Sequence, residues 1–317
     1  MNFKKPVFWD LKKPNLFSNI LFPFSFLVRL NNFLREMKLK KKSDKIKTIC
    51  IGNIYIGGTG KTPTTIATYN LIKKLNKKIA IGKKYYPGHW DENIILENVS
   101  NLILDKSRLK IVKKAINKKI KILIFDDGLQ DREIDYDLKF VCFNSNKWIG
   151  NGRIIPSGPL REHKESLIKY DGVFLQDTFF YSKKNNLVIN SIKKINPKIN
   201  IFKTKYHPIN LNEFNKKKNY LIFSGIGNPE NFKALLLKNK IKIIKELKFP
   251  DHYKYTNDDI KEIKKIAVNL KAEIITTEKD YIKLNSHNKK DIKCLYIKVK
   301  ILNQMKFMNY IKSKLYV

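Results

Sequence analysis

The stretch from Thr48 to Pro63 constrains this chain more than any other. Thr48-Ile49-Cys50-Ile51 is a short apolar run of the kind that forms a buried strand. It empties into Gly52-Asn53-Ile54-Tyr55-Ile56-Gly57-Gly58-Thr59, and this turn closes on Gly60-Lys61-Thr62-Pro63. A helical spacing begins there, carried by Ile66, Ala67, Tyr69, Leu71, Ile72 and Leu75. Strand, glycine-rich turn and helix start, in that order, make an anion cradle. The glycines let main-chain N–H groups curl round a phosphate, and the helix start adds unpaired donors and the positive end of a dipole. Gly57, Gly58, Thr59 and Gly60 are expected to form the cradle, Lys61 to reach the β- and γ-phosphates, and the Thr62 hydroxyl to hold Mg²⁺. Pro63 fits because the first helical turn needs no N–H from it. One position departs from the phosphate-loop pattern: Tyr55 stands where a glycine five residues before Gly60 is expected.

A second feature agrees with the loop. Ile122-Leu123-Ile124-Phe125 runs into Asp126-Asp127-Gly128. A buried parallel strand ending in a carboxylate delivers the usual second partner of Mg²⁺ beside such a loop, and either aspartate suits that role. Further strands are expected at 78–81, 102–104, 138–143 and 170–175, with helices between them. Around 181–200 the pattern degrades into Lys, Asn and Ser, after which a second alternation of strands and helices begins at Tyr220. The expected organisation is an N-terminal segment over 1–43, a nucleotide-binding domain over 44–180, a linker over 181–205 and a second α/β domain over 206–317. The fold class is α/β and two-lobed: a P-loop NTPase-like parallel sheet plus a smaller α/β domain. Ligands of such sheets lie beyond the carboxyl ends of the strands, so Asp91, Asp126 and His252 are expected to converge there.

Composition enters at three points. The formal charge of +37 suggests nucleic acid, but only six of the 65 basic residues are arginine, and the lysines recur on every expected helix. A chain-wide lysine bias fits this better than a binding stripe, so no nucleic-acid partner is expected. The scarcity makes Arg132, Arg153 and Arg161 informative, since a planar guanidinium grips phosphate or carboxylate in a way lysine does not. Cys50, Cys142 and Cys294 are far apart, odd in number and set in apolar runs, as buried reduced thiols are. No cleavable signal peptide is expected at the start. The 15 uncharged residues between Lys13 and Arg29 include Pro23 and are rich in Phe and Leu. A spanning helix needs about 20 residues. With Lys40-Lys41-Lys42 behind it, the segment reads as a helix lying in the interface of an anionic membrane.

Taken together, the blocks resemble the lipid A 4'-kinase family. Those that match are Gly52-Asn53 with Gly57 to Pro63, Asp126-Asp127-Gly128-Leu129-Gln130, Asn151-Gly152-Arg153, and Pro156 to Glu162. Ser224-Gly225-Ile226-Gly227-Asn228-Pro229, Phe249-Pro250-Asp251-His252-Tyr253 and Thr276-Thr277-Glu278-Lys279-Asp280 follow in the family's order. The family's loop also lacks the first glycine. The resemblance implies transfer of the ATP γ-phosphoryl group to the 4'-hydroxyl of an acylated glucosamine disaccharide 1-phosphate lipid. It further implies a monomer working peripherally on the cytoplasmic face of the bacterial inner membrane. Carried over residue by residue, Asp91 is the general base, His252 assists it, and Lys61 neutralises phosphate. Thr62, one of Asp126 or Asp127, and Glu162 hold the metal, while Tyr85, Arg153 and Arg161 contact substrate. The family's Ser-Arg-Gly-Tyr appears here as Gly82-Lys83-Lys84-Tyr85, and Trp90 replaces the glycine before Asp91. Two rival classes are weaker. A GTPase switch needs Asn/Thr-Lys-x-Asp, whose spacing Thr277-Glu278-Lys279-Asp280 lacks, and a nucleic-acid ATPase needs clustered arginines with stacking aromatics.

Overall fold

A computed structural model describes residues 5–37, 40–75, 78–131, 133–177 and 182–315, so Arg132 lies outside it. Twelve strands follow in order: β1 Lys47–Gly52, β2 Ile79–Lys84, β3 Leu102–Asp105, β4 Ile122–Asp126, β5 Leu138–Asn144, β6 Gly172–Gln176, β7 Asn200–Pro208, β8 Asn219–Ser224, β9 Lys242–Lys248, β10 Ala272–Thr277, β11 Ile292–Leu295 and β12 Ile297–Ile301. The chain divides into two compact units. The larger holds Lys5–Tyr86, Leu96–Lys205 and the stretch from Val299 on; the smaller holds Pro87–Ile95 and Tyr206–Lys298.

The larger unit is built on an eight-stranded sheet in the order β12-β7-β6-β5-β1-β4-β2-β3. Strands β1 to β6 pair with their neighbours in parallel, as does β6 with β7. Both faces are covered, which is why the strands read as continuous apolar runs. On β1, Cys50 faces one core with Phe125, Val141 and Phe143, while Ile49 and Ile51 face another with Ile124, Phe140 and Phe174. The strand order reverses about β1: the connection to β2 crosses to one side of it, and β5 lies on the other. Register places Ile51 opposite Asp126, so the glycine-rich loop and that carboxylate leave the sheet at the same edge.

The smaller unit has a four-stranded sheet, β11-β10-β8-β9, with parallel pairing throughout. Leu221, Phe223 and Ile274 pack under helix Asn257–Asn269 through Ile260, Ile263 and Ala267. Thr256 caps that helix as expected, in a reciprocal box with Asp259.

Three expected boundaries move. The lysine- and asparagine-rich segment read as a linker is helix Ser182–Ile195 followed by β7. Val188 and Ile192 supply its buried face, a stripe spaced by four that the surrounding polar residues obscure. The C-terminal helix Gln304–Leu315 returns to the larger unit, where Phe307 and Ile311 pack with Phe140, Phe174 and Phe202. Residues 87–95, expected inside the nucleotide-binding domain, group with the smaller unit. The N-terminal segment is two helices, Leu16–Ile20 and Ser25–Glu36, with Pro23 between them.

Phe307 is fully buried among three aromatic rings, those of Phe140, Phe174 and Phe202. Phe307→Ala is expected to lower the unfolding free energy of the larger unit by about 3–5 kcal/mol. Urea denaturation followed by fluorescence measures it, and a loss under about 1 kcal/mol would place the C-terminal helix outside this core.

Candidate functional site

The loop after β1 is built from its own side chains. Gly60 has φ 80°, the left-handed conformation that turns the chain into helix Lys61–Lys73 and that glycine adopts without strain. Asn53, fully buried, donates to the Tyr55 carbonyl at 2.5 Å and to the Thr59 hydroxyl at 3.1 Å. Its carbonyl oxygen accepts from Lys61 Nζ at 3.1 Å. Tyr55 replaces the missing glycine for a packing reason: its ring is buried with Ile154 and Leu160, and its hydroxyl meets Lys5 and Asp10. Around it the loop is strapped to a second one, with Ile56 N–H on the Pro159 carbonyl at 2.8 Å and Arg161 N–H on the Ile54 carbonyl at 2.7 Å.

The two aspartates at the end of β4 have different surroundings. Asp126 is 1% exposed; its Oδ2 accepts from Thr62 Oγ1 at 3.0 Å and Lys83 Nζ at 2.6 Å, and its Oδ1 from Thr65 Oγ1 at 3.2 Å. Asp127 turns back with φ 68°, and its Oδ2 lies 3.2 Å from Lys61 Nζ and 3.4 Å from an Arg161 nitrogen. Desolvation alone would raise the Asp127 carboxyl, but Lys61 and Arg161, with Arg108 behind them, hold it well below the usual carboxylate range. Arg161 also donates to Gln130 at 3.1 Å, and Gln130 donates to Glu162 at 2.8 Å and to the Asn53 carbonyl at 3.1 Å. Glu162, buried, accepts from the Tyr170 hydroxyl at 2.9 Å as well. Lys61, Thr62, Asp126, Asp127, Arg161 and Glu162 are therefore one connected set.

Arg153 and Tyr85 stand apart from that set. Arg153 donates to Asn19 at 2.9 Å and stacks 4.3 Å over the Phe22 ring, so it serves the N-terminal helices. Tyr85 is exposed, and its N–H bonds the Asp105 carbonyl. Sequence reasoning missed Asn53, Lys83, Arg108 and Gln130 as site residues. Lys83 had a signal: a lysine at the end of an apolar strand in a buried parallel sheet has few places to put its charge except a carboxylate.

The second group lies wholly in the smaller unit. The Gly225 N–H donates to Asp280 Oδ2 at 2.9 Å, and the Gly225 carbonyl accepts the His252 N–H at 3.2 Å. A Cβ on Gly225 would stand 3.0 Å from the Pro250 carbonyl and 3.1 Å from the Tyr255 hydroxyl, so a side chain there would press on both. His252, held at φ 60°, presents Nδ1 to Asp91 Oδ2 at 3.4 Å. Asp91, 1% exposed in the first turn of helix Trp90–Val99, also has Lys283 Nζ 3.7 Å away. Asp91 Oδ2 completes no hydrogen bond with these neighbours or with any other described residue. Burial would raise the Asp91 carboxyl, yet His252, Lys279 and Lys283 hold it below its ordinary value, so it is ionised at neutral pH. Apart from Tyr85 and Arg153, the sequence-predicted residues thus fall into two groups, one per unit, and Lys279 and Lys283 join the second unforeseen.

Residues 17–316 match the family model for tetraacyldisaccharide-1-P 4'-kinase. A tetraacyldisaccharide 4'-kinase of Pelagibacter ubique (strain HTCC1062) is 46% identical over 299 residues, covering 94% of this chain and 93% of that protein. One from Rickettsia bellii (strain OSU 85-389) is 33% identical over 315 residues, covering 94% of each. Among solved structures, LpxK from Aquifex aeolicus in complex with ATP covers 95% of this chain and 100% of its own, at 23% identity and a TM-score of 0.69. That likeness is one of fold.

The lowered Asp91 carboxyl carries a pH consequence. A carboxyl depressed on folding contributes stability that is present above its unfolded value and is lost as pH falls through the folded value. Asp91→Asn is therefore expected to flatten the fall of the urea midpoint below about pH 5. A midpoint series from pH 7 downward measures this, and equal slopes in the two proteins would show that Asp91 gains nothing from its cations.

Proposed function

Because the chain belongs to the tetraacyldisaccharide-1-P 4'-kinase family, we propose that it moves the γ-phosphoryl group of ATP to the 4'-hydroxyl of tetraacyldisaccharide 1-phosphate, giving lipid IVA in lipid A biosynthesis. One observation carries the choice of a kinase over a nucleotide switch. A switch needs only a nucleotide loop; this chain also buries an ionised aspartate, Asp91, whose Oδ2 makes no hydrogen bond and has a histidine beside it.

Each part has a physical role. The glycine-rich loop and Lys61 bind the β- and γ-phosphates, and Arg161 adds a planar donor set next to them. Thr62, Asp126, Asp127 and Glu162 offer the hard oxygen donors that Mg²⁺ takes, and Thr62 already meets Asp126 at 3.0 Å. When bound, Mg²⁺ supplies charge neutralisation on the phosphate oxygens. Asp91 Oδ2 accepts the hydrogen bond and then the proton of the sugar hydroxyl, and His252 Nδ1 orients that oxygen and shares the proton. Because Asp91 stays ionised, it is ready to accept at neutral pH. Such a base contributes typically about 10²–10⁴-fold in rate.

The acceptor is a lipid, and the N-terminal helices suit a lipid surface. Their pattern is inverted relative to a soluble helix. Ser18 and Ser25 are buried, bonded to Ser157 and to the Ile154 carbonyl, and Asn32 donates to the Arg161 carbonyl. Phe17, Phe26 and Phe33 stand 60–64% exposed with Leu16, Leu27 and Leu34. None of the described helices is long and apolar enough to cross a membrane. An exposed apolar face of this size, followed by Lys40 to Lys42, favours a chain lying on the cytoplasmic face of the bacterial inner membrane, where ATP is available.

Lys61→Ala is expected to abolish transfer, and Asp91→Ala to reduce it by about 10²–10⁴-fold, with circular dichroism unchanged. Radiolabelled ATP and the 1-phosphorylated disaccharide lipid, read for 4'-phosphorylated product, test both. Equal ATP hydrolysis without lipid, together with an active Asp91→Ala protein, would defeat the reading. For the surface, Phe17→Ser, Phe26→Ser and Phe33→Ser combined should release the protein from anionic vesicles. Unchanged co-pelleting would remove the N-terminal helices from membrane binding.

A further inference from the structure

We propose that His89, Glu92 and His252 form a binding site for a divalent transition metal of the zinc type in the smaller unit. The short turn Pro87–His89 runs directly into helix Trp90–Val99, so His89 and Glu92, three residues apart, share a face. His89 Nδ1 lies 3.6 Å from Glu92 Oε2, and His252 Nε2 lies 3.9 Å from Glu92 Oε1. The two imidazole rings are 4.4 Å apart, and one donor atom from each of the three residues falls within 4.8 Å of the others. Ligands at about 2.0–2.2 Å from a tetrahedral ion require only a small inward closing from these separations. All three side chains are partly exposed, so the ion has an entry path and a solvent position to complete its shell. Two imidazoles and one carboxylate suit zinc, cobalt or nickel and not Mg²⁺.

Two further observations point the same way. The other nitrogen of His252, Nδ1, faces buried Asp91 at 3.4 Å. Neither atom makes another hydrogen bond among the described residues, so a small approach would pair them as the carboxylate and imidazole that fix the tautomer of a metal-bound histidine and leave Nε2 to the ion. A cation also occupies the position already: Lys279 Nζ stands 3.2 Å from His252 Nε2 and 3.3 Å from Glu92 Oε1. Its third neighbour, Asp251 Oδ1 at 3.2 Å, gives the ammonium a partner to keep when a metal displaces it from the other two. An ion on Nε2 would hinder His252 from sharing the proton that Asp91 takes and so inhibit the enzyme; that consequence, unlike the site, rests on the proposed function.

The test uses the full chain saturated with Mg²⁺ and titrated with Co²⁺. The wild-type protein should develop the visible bands of low-coordinate cobalt, and His89→Asn should weaken cobalt binding by at least about tenfold, the lower end of what even an outer partner contributes to a metal site. In the kinase assay Zn²⁺ should inhibit the wild type, while His89→Asn keeps the uninhibited rate and needs at least about tenfold more Zn²⁺. Absence of the bands, or bands equal in His89→Asn, overturns the site. Cobalt binding that depends on His89 without zinc inhibition sustains the site and instead overturns the part given to His252 in catalysis.

Discussion

The larger unit is tied together at one buried charge. Asp126 ends the strand beside the phosphate loop, and its two oxygens take Lys83 from β2 together with Thr62 and Thr65 from the helix that the loop opens. Two adjacent strands, β4 and β2, and the helix that follows β1 are thus held by one carboxylate. Breaking such a pair by removing one partner typically costs about 3–5 kcal/mol, because the remaining charge is stranded away from water. The same four groups set the direction of the Thr62 hydroxyl and hence the corner of the site proposed to take Mg²⁺. Stability of the sheet edge and placement of the nucleotide machinery are therefore one physical problem here.

What could be read from sequence follows how local each signal is. The phosphate loop and Asp126 were legible because strand, turn and carboxylate are contiguous runs whose spacing has a direct mechanical meaning. The Asp91–His252 contact rested on a family likeness, since 160 positions separate the two and no periodicity links them. Lys83 stood out both as a lysine ending an apolar strand and as a departure from the family's arginine. The structure gives its ammonium a definite job as a point charge on Asp126, one that does not need a planar fork. Segments were misassigned where polar composition hid a narrow apolar stripe, as at Val188 and Ile192. The passage of 87–95 into the smaller unit had no sequence signature, because a chain entering and leaving a unit needs no special residues to do so.

The N-terminal helices complete the argument by reversing the usual rule of burial. Serine and asparagine face the protein and phenylalanine faces out. Polar groups facing inward are satisfied by carbonyls of the 151–161 loop, so the segment is attached by hydrogen bonds, and apolar area is left for another phase. That loop is in turn strapped to the phosphate loop through Ile56 and Arg161. Trp9 adds a further stitch, donating to the Pro156 carbonyl at 2.9 Å with its ring buried. A surface that takes up the phenylalanines would then fix the orientation of Lys61 and Arg161 relative to the lipid, through a short chain of hydrogen bonds and without a flexible tether. Tyr55 belongs to this chain: a glycine there would lack both the ring that packs against Ile154 and Leu160 and the hydroxyl that meets Asp10. The departure from the phosphate-loop pattern is the point at which the nucleotide loop and the N-terminal segment become a single packed structure.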